Sequence, residues 1–323
     1  MDGVLVVGYG APESLDEIPS FMTSLIGRTP SPTMIERMTE HYELIGGKSP
    51  LVGYAREIAR KIEKHYEDNE ITLPVEIGMI HTPPSVDDAV DALIDCGVTR
   101  IIAISLSPFY STASNGKSFA RVAQSAERYE NLEVVCAPEI GLFEGFIEAH
   151  AQVLEELFDK VDVETDVAPL SFSAHSLPMP DVEAGDYVYE EGLRKAADAL
   201  AERLFLAPAD EAGFMIGEQR AYGTEQLPRP WAVTFQSQGM RGEKWLEPTL
   251  NAFIDEMQKR DYKAMVSVPL GFSTDHMETL YDLRIAAKKK AEEQGITLFV
   301  SSAPNDSDAL IEAFVESIDS VRL

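Results

Sequence analysis

The stretch VPLGFSTDHMETLYDLRIAAK, residues 268–288, decides how the chain is read. The apolar run Ala264–Leu270 has the character of a buried strand; Gly271 breaks it, and a helical pattern follows. Ser273, Thr274 and Asp275 are all good N-cap residues, and Asp275 stands three positions before Glu278, the spacing of a capping box. On a helix begun there, Asp275, Glu278 and Asp282 fall on one stripe. Three carboxylates on a stripe repel one another unless a cation or a proton sits among them. A strand-to-helix turn is also where open α/β sheets place their ligands. By itself the stripe reads as a solvated face, with Glu278 as the back-reaching member of a cap.

A second stretch, roughly a hundred residues upstream, changes that balance. Leu170–Pro178 reads LSFSAHSLP: an apolar strand ends in His175 between two hydroxyls, and Pro178 stops further pairing. A lone histidine on an apolar strand is usually a core residue. One at a strand tip, beside groups that can fix its tautomer, is a better ligand or base. A third stretch, TFQSQG (Thr234–Gly239) followed by WLEP (Trp245–Pro248), again sets polar groups at a strand end. Read blandly, it is a turn leading into a helix capped near Gly242, with Trp245 a packing residue. Together the three put His, Gln/Ser and Glu at the same edge of one sheet.

The 323 residues suffice for two domains of ordinary size, and 45% hydrophobic with 25% charged residues suits a folded chain with a substantial core. No run approaches the roughly 18 apolar residues of a membrane span. Met1-Asp2-Gly3 lacks a basic leader region, so a cytoplasmic location without membrane insertion is expected. Cys96 and Cys136 are the only cysteines, too few for a four-thiolate iron–sulfur cluster or a common structural zinc site. Buried free thiols in a reducing compartment are the expectation. The net charge of −28 argues against nucleic acid as partner and would draw divalent cations inward.

Along the chain, strands alternate with helices, which predicts right-handed crossovers and parallel sheets. Strands are expected at Val4–Gly8, Val75–Ile80, Arg100–Leu106 and Leu132–Cys136, then at Ala168–Ser173, Trp231–Gln236, Ala264–Leu270 and Thr297–Ser301. Helices are expected near Ile18–Ile26, Met34–Ile45, Ser85–Cys96, Ser118–Tyr129, Glu144–Lys160, Tyr187–Leu204, Trp245–Arg260, Met277–Gln294 and Asp306–Ser320, with another ending near His65. The acidic segment Val161–Asp166 reads as a linker and Leu206–Pro230 as an inserted excursion. The fold class is α/β: two pseudo-symmetric lobes, residues 1–160 and 161–323, each a roughly four-stranded parallel sheet flanked by helices, with a cleft between them.

SAHSLP, TFQSQG with WLEP, and PLGFSTDHMETLYD (Pro269–Asp282) resemble the three signature stretches of the ferrochelatase family, in its order and spacing. IGGKSPL (Ile45–Leu51) and SPFYSTAS (Ser107–Ser114) add to a resemblance that covers essentially the whole chain. It implies a chelatase-like fold and a lyase that inserts Fe²⁺, as substrate, into a porphyrin in heme biosynthesis, with release of two protons. No iron–sulfur cluster or organic cofactor is implied, and a monomer is expected. By motif, His175 and Glu278 match the family's catalytic metal pair, and Gln236 and Trp245 fall on substrate-binding positions; Phe21 would help line the apolar slot. Asp282 is a possible proton relay.

Tyr9, in YGAP, is similar to the Gram-positive-type branch of the family, where a tyrosine meets the iron and the substrate is coproporphyrin III. Protoporphyrin-using members carry an apolar residue there, and protoporphyrin IX is the alternative substrate. By the same alignment Arg28, His41, Tyr42, Ser49 and Phe119 fall on porphyrin-contacting positions. Three departures stand out: paired arginines are reduced to Arg28, Phe119 replaces a tyrosine, and Ala286 replaces an acid that some relatives carry. Rival readings are a chelatase for another tetrapyrrole, which would lean on histidine pairs, and a porphyrin-binding protein without chemistry.

Overall fold

The run VLVV at Val4–Val7 is apolar at every position, the pattern of a strand covered on both faces. It forms β1 (Asp2–Gly8), buried from Gly3 to Gly8. With β2 (Val75–Met79), β3 (Arg100–Ser105) and β4 (Glu133–Cys136) it makes a parallel sheet of order β2-β1-β3-β4. Around it stand α1 (Ile18–Ile26), α2 (Pro32–Leu44), α3 (Leu51–Asp68), α4 (Val86–Asp95) and α5 (Lys117–Ala126). Leu5, Val7, Ile101 and Ala103 pack on one face against Ala89, Val90 and Leu93 of α4 and Val122 of α5. The side chains of Val4, Val6, Ile102 and Ile104 are buried as well. On α3, Val52, Ala55, Ile58, Ala59, Ile62 and Tyr66 form one buried stripe at helical spacing.

The pattern then repeats. After α6 (Glu144–Lys160) come β5 (Leu170–His175), a single turn α7 (Met179–Asp181), α8 (Tyr187–Arg203), a two-residue pair β6 (Met215–Ile216) and β7 (Gln219–Arg220), and β8 (Trp231–Gln236). Next are α9 (Leu250–Lys259), β9 (Ala264–Val268), a π-helix over Glu278–Ala287, α10 (Lys288–Glu293), β10 (Thr297–Val300) and α11 (Asp308–Asp319). The second sheet has the order β10-β9-β5-β8, again all parallel. Counted within its own sheet, each runs second, first, third, fourth. The expected α/β class, two four-stranded parallel sheets flanked by helices, is what forms, and the two sheets share one strand order. This computed structural model describes residues 1–161, 168–204, 230–239 and 244–322, with the backbone of 215–216 and 219–220. The expected linker at 162–166 and most of the 206–230 excursion lie outside the described residues.

Contacts divide the chain into one unit of Met1–Gly145, Thr274–Met277 and Asn305–Leu323, and another of Phe146–Ser273 and Glu278–Pro304. The C-terminal α11 thus joins the first sheet, where it packs on α3 and β3. Arg100 closes that lobe at the amino end of β3. Its guanidinium holds Asp2 at 2.9 Å and Glu133 at 3.3 Å, and donates to the Val321 carbonyl at 2.8 Å.

Several expectations are corrected. The helix does not begin at Asp275: that residue's N–H donates to Asn305 Oδ1 (2.7 Å) and its carboxylate accepts from Asn305 Nδ2 (3.2 Å). The turns that follow are π-wound, so the 3.6-residue stripe of Asp275, Glu278 and Asp282 does not form as drawn. Among the described residues no three His, Cys, Asp or Glu side chains gather as a metal-binding group. Trp245 lies outside any helix and bridges Pro178; α9 starts later, capped by Thr249, whose hydroxyl accepts from Ala252 N–H at 3.0 Å. Cys96 and Cys136 are free but exposed, because one caps the end of α4 and the other ends the poorly covered edge strand β4.

One buried titratable group sits beneath the second sheet. His150 of α6 has no exposed surface, and its ring meets Phe146 edge-on with centroids 4.7 Å apart. Among the described residues neither ring nitrogen makes a hydrogen bond of normal geometry. Burial pushes the imidazole down to about 3, against a weaker opposing pull from the Phe272 backbone. An unfolded histidine takes up a proton near pH 6.5 and the buried one resists until about 3, so stability falls as pH drops through that window. The unfolding free energy is expected to fall by about 1.4 kcal/mol from this group between about pH 7.5 and about pH 5.5. Urea titrations of His150→Asn should show a correspondingly shallower pH slope; an unchanged slope would place the loss elsewhere.

Candidate active site

His175 is the last residue of β5, the first strand of its sheet and the one flanked by both the second and the third. The chain leaves such a strand on opposite sides, and the carboxyl end of this switch point is where open sheets bind ligands. β5 pairs with β8 in register, His175 beside Gln236, and Ser176 N–H donates to the Gln236 carbonyl at 2.8 Å. The turn after β9 presses against the same strand: Gly271 N–H donates to the Ser173 carbonyl at 3.0 Å. A Cβ at Gly271 would lie 2.5 Å from that of Ala174, so only glycine lets the turn come so close.

These placements bring two side chains together. His175 Nε2 lies 3.6 Å from Glu278 Oε1, at 37% and 30% side-chain exposure, so both remain open to a ligand. His175 Nδ1 stands 2.5 Å from the Ser176 carbonyl. A carbonyl can only accept, so Nδ1 carries the hydrogen and Nε2 of the neutral ring presents its lone pair toward Glu278. Tyr189 of α8 donates its hydroxyl to the His175 carbonyl at 3.0 Å. Burial, and behind it the negative charge of Glu278, hold that phenol above its usual range, so it stays a donor. Ser176 Oγ donates to the Leu246 carbonyl at 3.2 Å, tying the strand tip to the segment around Trp245.

On the π-helix side, Gln236 Nε2 donates to the Glu278 carbonyl at 3.2 Å, and the Ser237 hydroxyl donates to the Asp282 carboxylate. Gln236 Oε1 is buried and, among the described residues, has no partner. Trp245 lies against Gly239, where a Cβ would sit 2.9 Å from the indole, and its buried Nε1 has no partner among the described residues. An imidazole nitrogen and a carboxylate oxygen, both accessible and held by backbone-anchored neighbours, suit a borderline divalent metal and can equally take up protons.

In the first lobe Tyr9 follows β1, the equivalent strand of its own sheet. Gly10, at φ 81° with Thr82 in the space a Cβ would fill, makes the turn beyond it. The Tyr9 hydroxyl donates to the Ala113 carbonyl, and its ring stands 5.2 Å from that of His81. His81 also meets Phe21 edge-on and pairs its Nδ1 with Ser24 Oγ at 2.9 Å; burial, with Lys117 nearby, holds its imidazole below its usual range.

The remaining sequence candidates are scattered. Arg28 is exposed just beyond α1. His41 on α2 is half-buried, its imidazole lowered chiefly by burial. Tyr42 is not a surface group: with 1% exposure it packs among Ile18, Met22 and Met277 in the core. Ser49 is buried, its N–H donating to the Pro12 carbonyl at 2.9 Å. Phe119 packs against the core of the first sheet. His81 and Tyr189 were missed by sequence reasoning. A phenol on an amphipathic helix carries no spacing signal; the His81 strand end did, since β2 stops just before it.

The sequence profile of the ferrochelatase family matches residues 1–321. Coproporphyrin III ferrochelatase 1 of Bacillus cereus is 31% identical over 321 residues, 98% of this chain and 96% of that one. A ferrochelatase of Deinococcus radiodurans is 32% identical over 320 residues, 98% and 95% of the two chains. Among solved structures, SirB from Bacillus subtilis with Fe³⁺ aligns at a TM-score of 0.58 and 14% identity, covering 99% of this chain and 94% of that one, a likeness of fold. The chain belongs to the ferrochelatase family, and is an enzyme that inserts a metal ion into a porphyrin.

Proposed function

We propose that the enzyme inserts ferrous iron into coproporphyrin III, with His175 and Glu278 as the pair that handles both metal and protons. The observation that carries the reading is the 3.6 Å approach of His175 Nε2 to Glu278 Oε1, both partly exposed. The reaction exchanges one Fe²⁺ for two pyrrole protons, so the site must receive two positive charges as it gives up two. A neutral imidazole with its lone pair on Nε2 accepts one proton directly, since Nδ1–H is already spent on Ser176. The imidazolium so formed is stabilised by the carboxylate beside it. Glu278 accepts the second, and Tyr189 and Gln236 hold the two partners by backbone carbonyls throughout. Metal arriving at the same pair meets one nitrogen and one oxygen donor.

The substrate assignment leans on Tyr9. By the family resemblance a tyrosine at this position meets the iron and accompanies coproporphyrin III, the substrate named for the Bacillus cereus relative. Among the described residues no helix is long and apolar enough to cross a membrane, which is compatible with a tetracarboxylate substrate taken from water. Arg28, His41, Tyr42, Ser49, Phe119, Gln236 and Trp245 are the remaining proposed porphyrin contacts, of which Tyr42 and Ser49 are buried in the unliganded fold.

His175→Ala is expected to lower porphyrin metallation by about 10²- to 10⁴-fold with little change in melting temperature, because a strand-tip side chain adds little packing. Anaerobic turnover followed by the porphyrin absorption bands is the check, and wild-type turnover would remove His175 from the mechanism. In the same assay kcat/KM should be higher for coproporphyrin III than for protoporphyrin IX; the reverse order would favour the alternative substrate. Tyr9→Phe should alter the absorption spectrum of bound product more than the rate, and identical spectra would argue against a phenol on the iron.

A further inference from the structure

Among the described residues, five other than glycine have positive φ: Glu70, Asn131, Ser237, Asp261 and Asn305. Glu70 and Asp261 are exposed and stand just past the ends of α3 and α9, where a left-handed residue commonly ends a helix, and Asn131 is exposed in the turn before β4, of a residue type that tolerates this region. Ser237, at φ 57°, instead follows a strand, and serine lacks the tolerance of Asn or Asp for this region. What the conformation achieves is visible in its neighbours. Along an extended strand, consecutive side chains point to opposite faces. Here Gln236 and Ser237 reach the same helix, one to the Glu278 carbonyl at 3.2 Å and the other to the Asp282 carboxylate.

We infer that Ser237 is a positioning residue: its left-handed backbone turns the hydroxyl onto Asp282, and with Gln236 it pins the first turn of the π-helix so that Glu278 stays opposite His175. The inference rests on the proposed roles of His175 and Glu278. The two grips are complementary. Gln236 fixes the backbone of Glu278 itself; Ser237 fixes a carboxylate four residues on, nearly one turn along the same helix, and stops that turn from rotating about the first grip. A π-helix has wider turns and poorer packing than an α-helix, so its register needs such outside anchors more than most.

Three substitutions separate the hydroxyl from the backbone. Ser237→Gly removes the donor but relieves the backbone; Ser237→Ala removes the donor and keeps the strain; Ser237→Asn keeps a donor on a residue at ease with positive φ. Steady-state insertion of ferrous iron should show kcat falling about 10- to 100-fold in the Gly and Ala variants, with the porphyrin KM within about twofold of wild type. Ser237→Gly should melt at or above the wild-type temperature, and Ser237→Asn should regain kcat to within about threefold. Wild-type kcat in Ser237→Gly would overturn the inference, as would a loss that follows melting temperature and not the donor. His175→Ala, run alongside, tells the two failures apart. If it is inactive while Ser237→Gly is fully active, only the positioning role falls; if it is fully active, the metal-pair reading falls first.

Discussion

A histidine has two nitrogens, and committing one to a carbonyl decides what the other can do. At His175 the Ser176 carbonyl takes Nδ1–H, leaving Nε2 as a lone pair aimed at Glu278. Most of the second lobe serves that commitment. β5 ends where it does because Ser176 is tied to Gln236 on one side and to Leu246 through its hydroxyl on another. Tyr189 closes the remaining carbonyl, that of His175 itself. The ring orientation is thus fixed by contacts to backbone carbonyls, those of Ser176 and of His175 itself.

The other half of the pair is held more precariously. Glu278 opens a π-helix directly after a stretch, Thr274–Met277, that belongs with the first unit. Within that stretch Asp275 is locked to Asn305, so the chain reaches Glu278 already fixed on its amino side. On the carboxyl side, side chains from the end of β8 hold it: Gln236 at the Glu278 carbonyl and Ser237 at the Asp282 carboxylate. The arrangement resembles a metal site's outer shell, in which the groups behind the ligands set their aim. Reaching one helix from two consecutive strand residues requires a left-handed turn at Ser237, a local strain of about 1–2 kcal/mol for a residue with a side chain. Strain of that size persists only where the surroundings over-determine it.

Much of this was legible beforehand, for identifiable reasons. Apolar runs such as Val4–Val7 in the first lobe and Met265–Leu270 in the second pointed to a strand in each sheet, because burial on two faces leaves such a pattern. That His175, Gln236 and Glu278 come together was legible because two of them end such runs and the third follows the turn after another, and parallel sheets gather carboxyl ends at one edge. The capping box at Asp275 failed because Asn305, thirty residues away, competes for the same groups, a tertiary partner that no local rule sees. The carboxylate stripe failed with it, since a period of 3.6 does not describe a π-helix. Trp245 was given to a helix because polar residues near Gly242 mimic a cap, while the true cap is Thr249. Tyr42 was taken for a ligand contact through a motif, but the same helical spacing that puts His41 near the surface puts Tyr42 in the core.

The overall charge sets a tension that the site geometry resolves. A chain of net charge −28 draws Fe²⁺ toward it and repels a porphyrin bearing carboxylates. At physiological salt that repulsion fades over about 8 Å, so only groups near the bound macrocycle decide whether it stays. Some surface carboxylates are paired, as at Arg128 with Asp91 and Arg203 with Glu148, and these exposed pairs contribute little to stability; with 55 acidic residues against 27 Lys and Arg, about half have no cation to pair with. The field that remains would concentrate a cation, and under the proposed reading His175 and Glu278, at most one negative charge between them, would accept it without trapping it. A site built from three carboxylates would bind the metal more tightly and release it to the porphyrin more slowly. The loss of Asp275 to Asn305 therefore fits the chemistry, because insertion requires a donor pair that can let go.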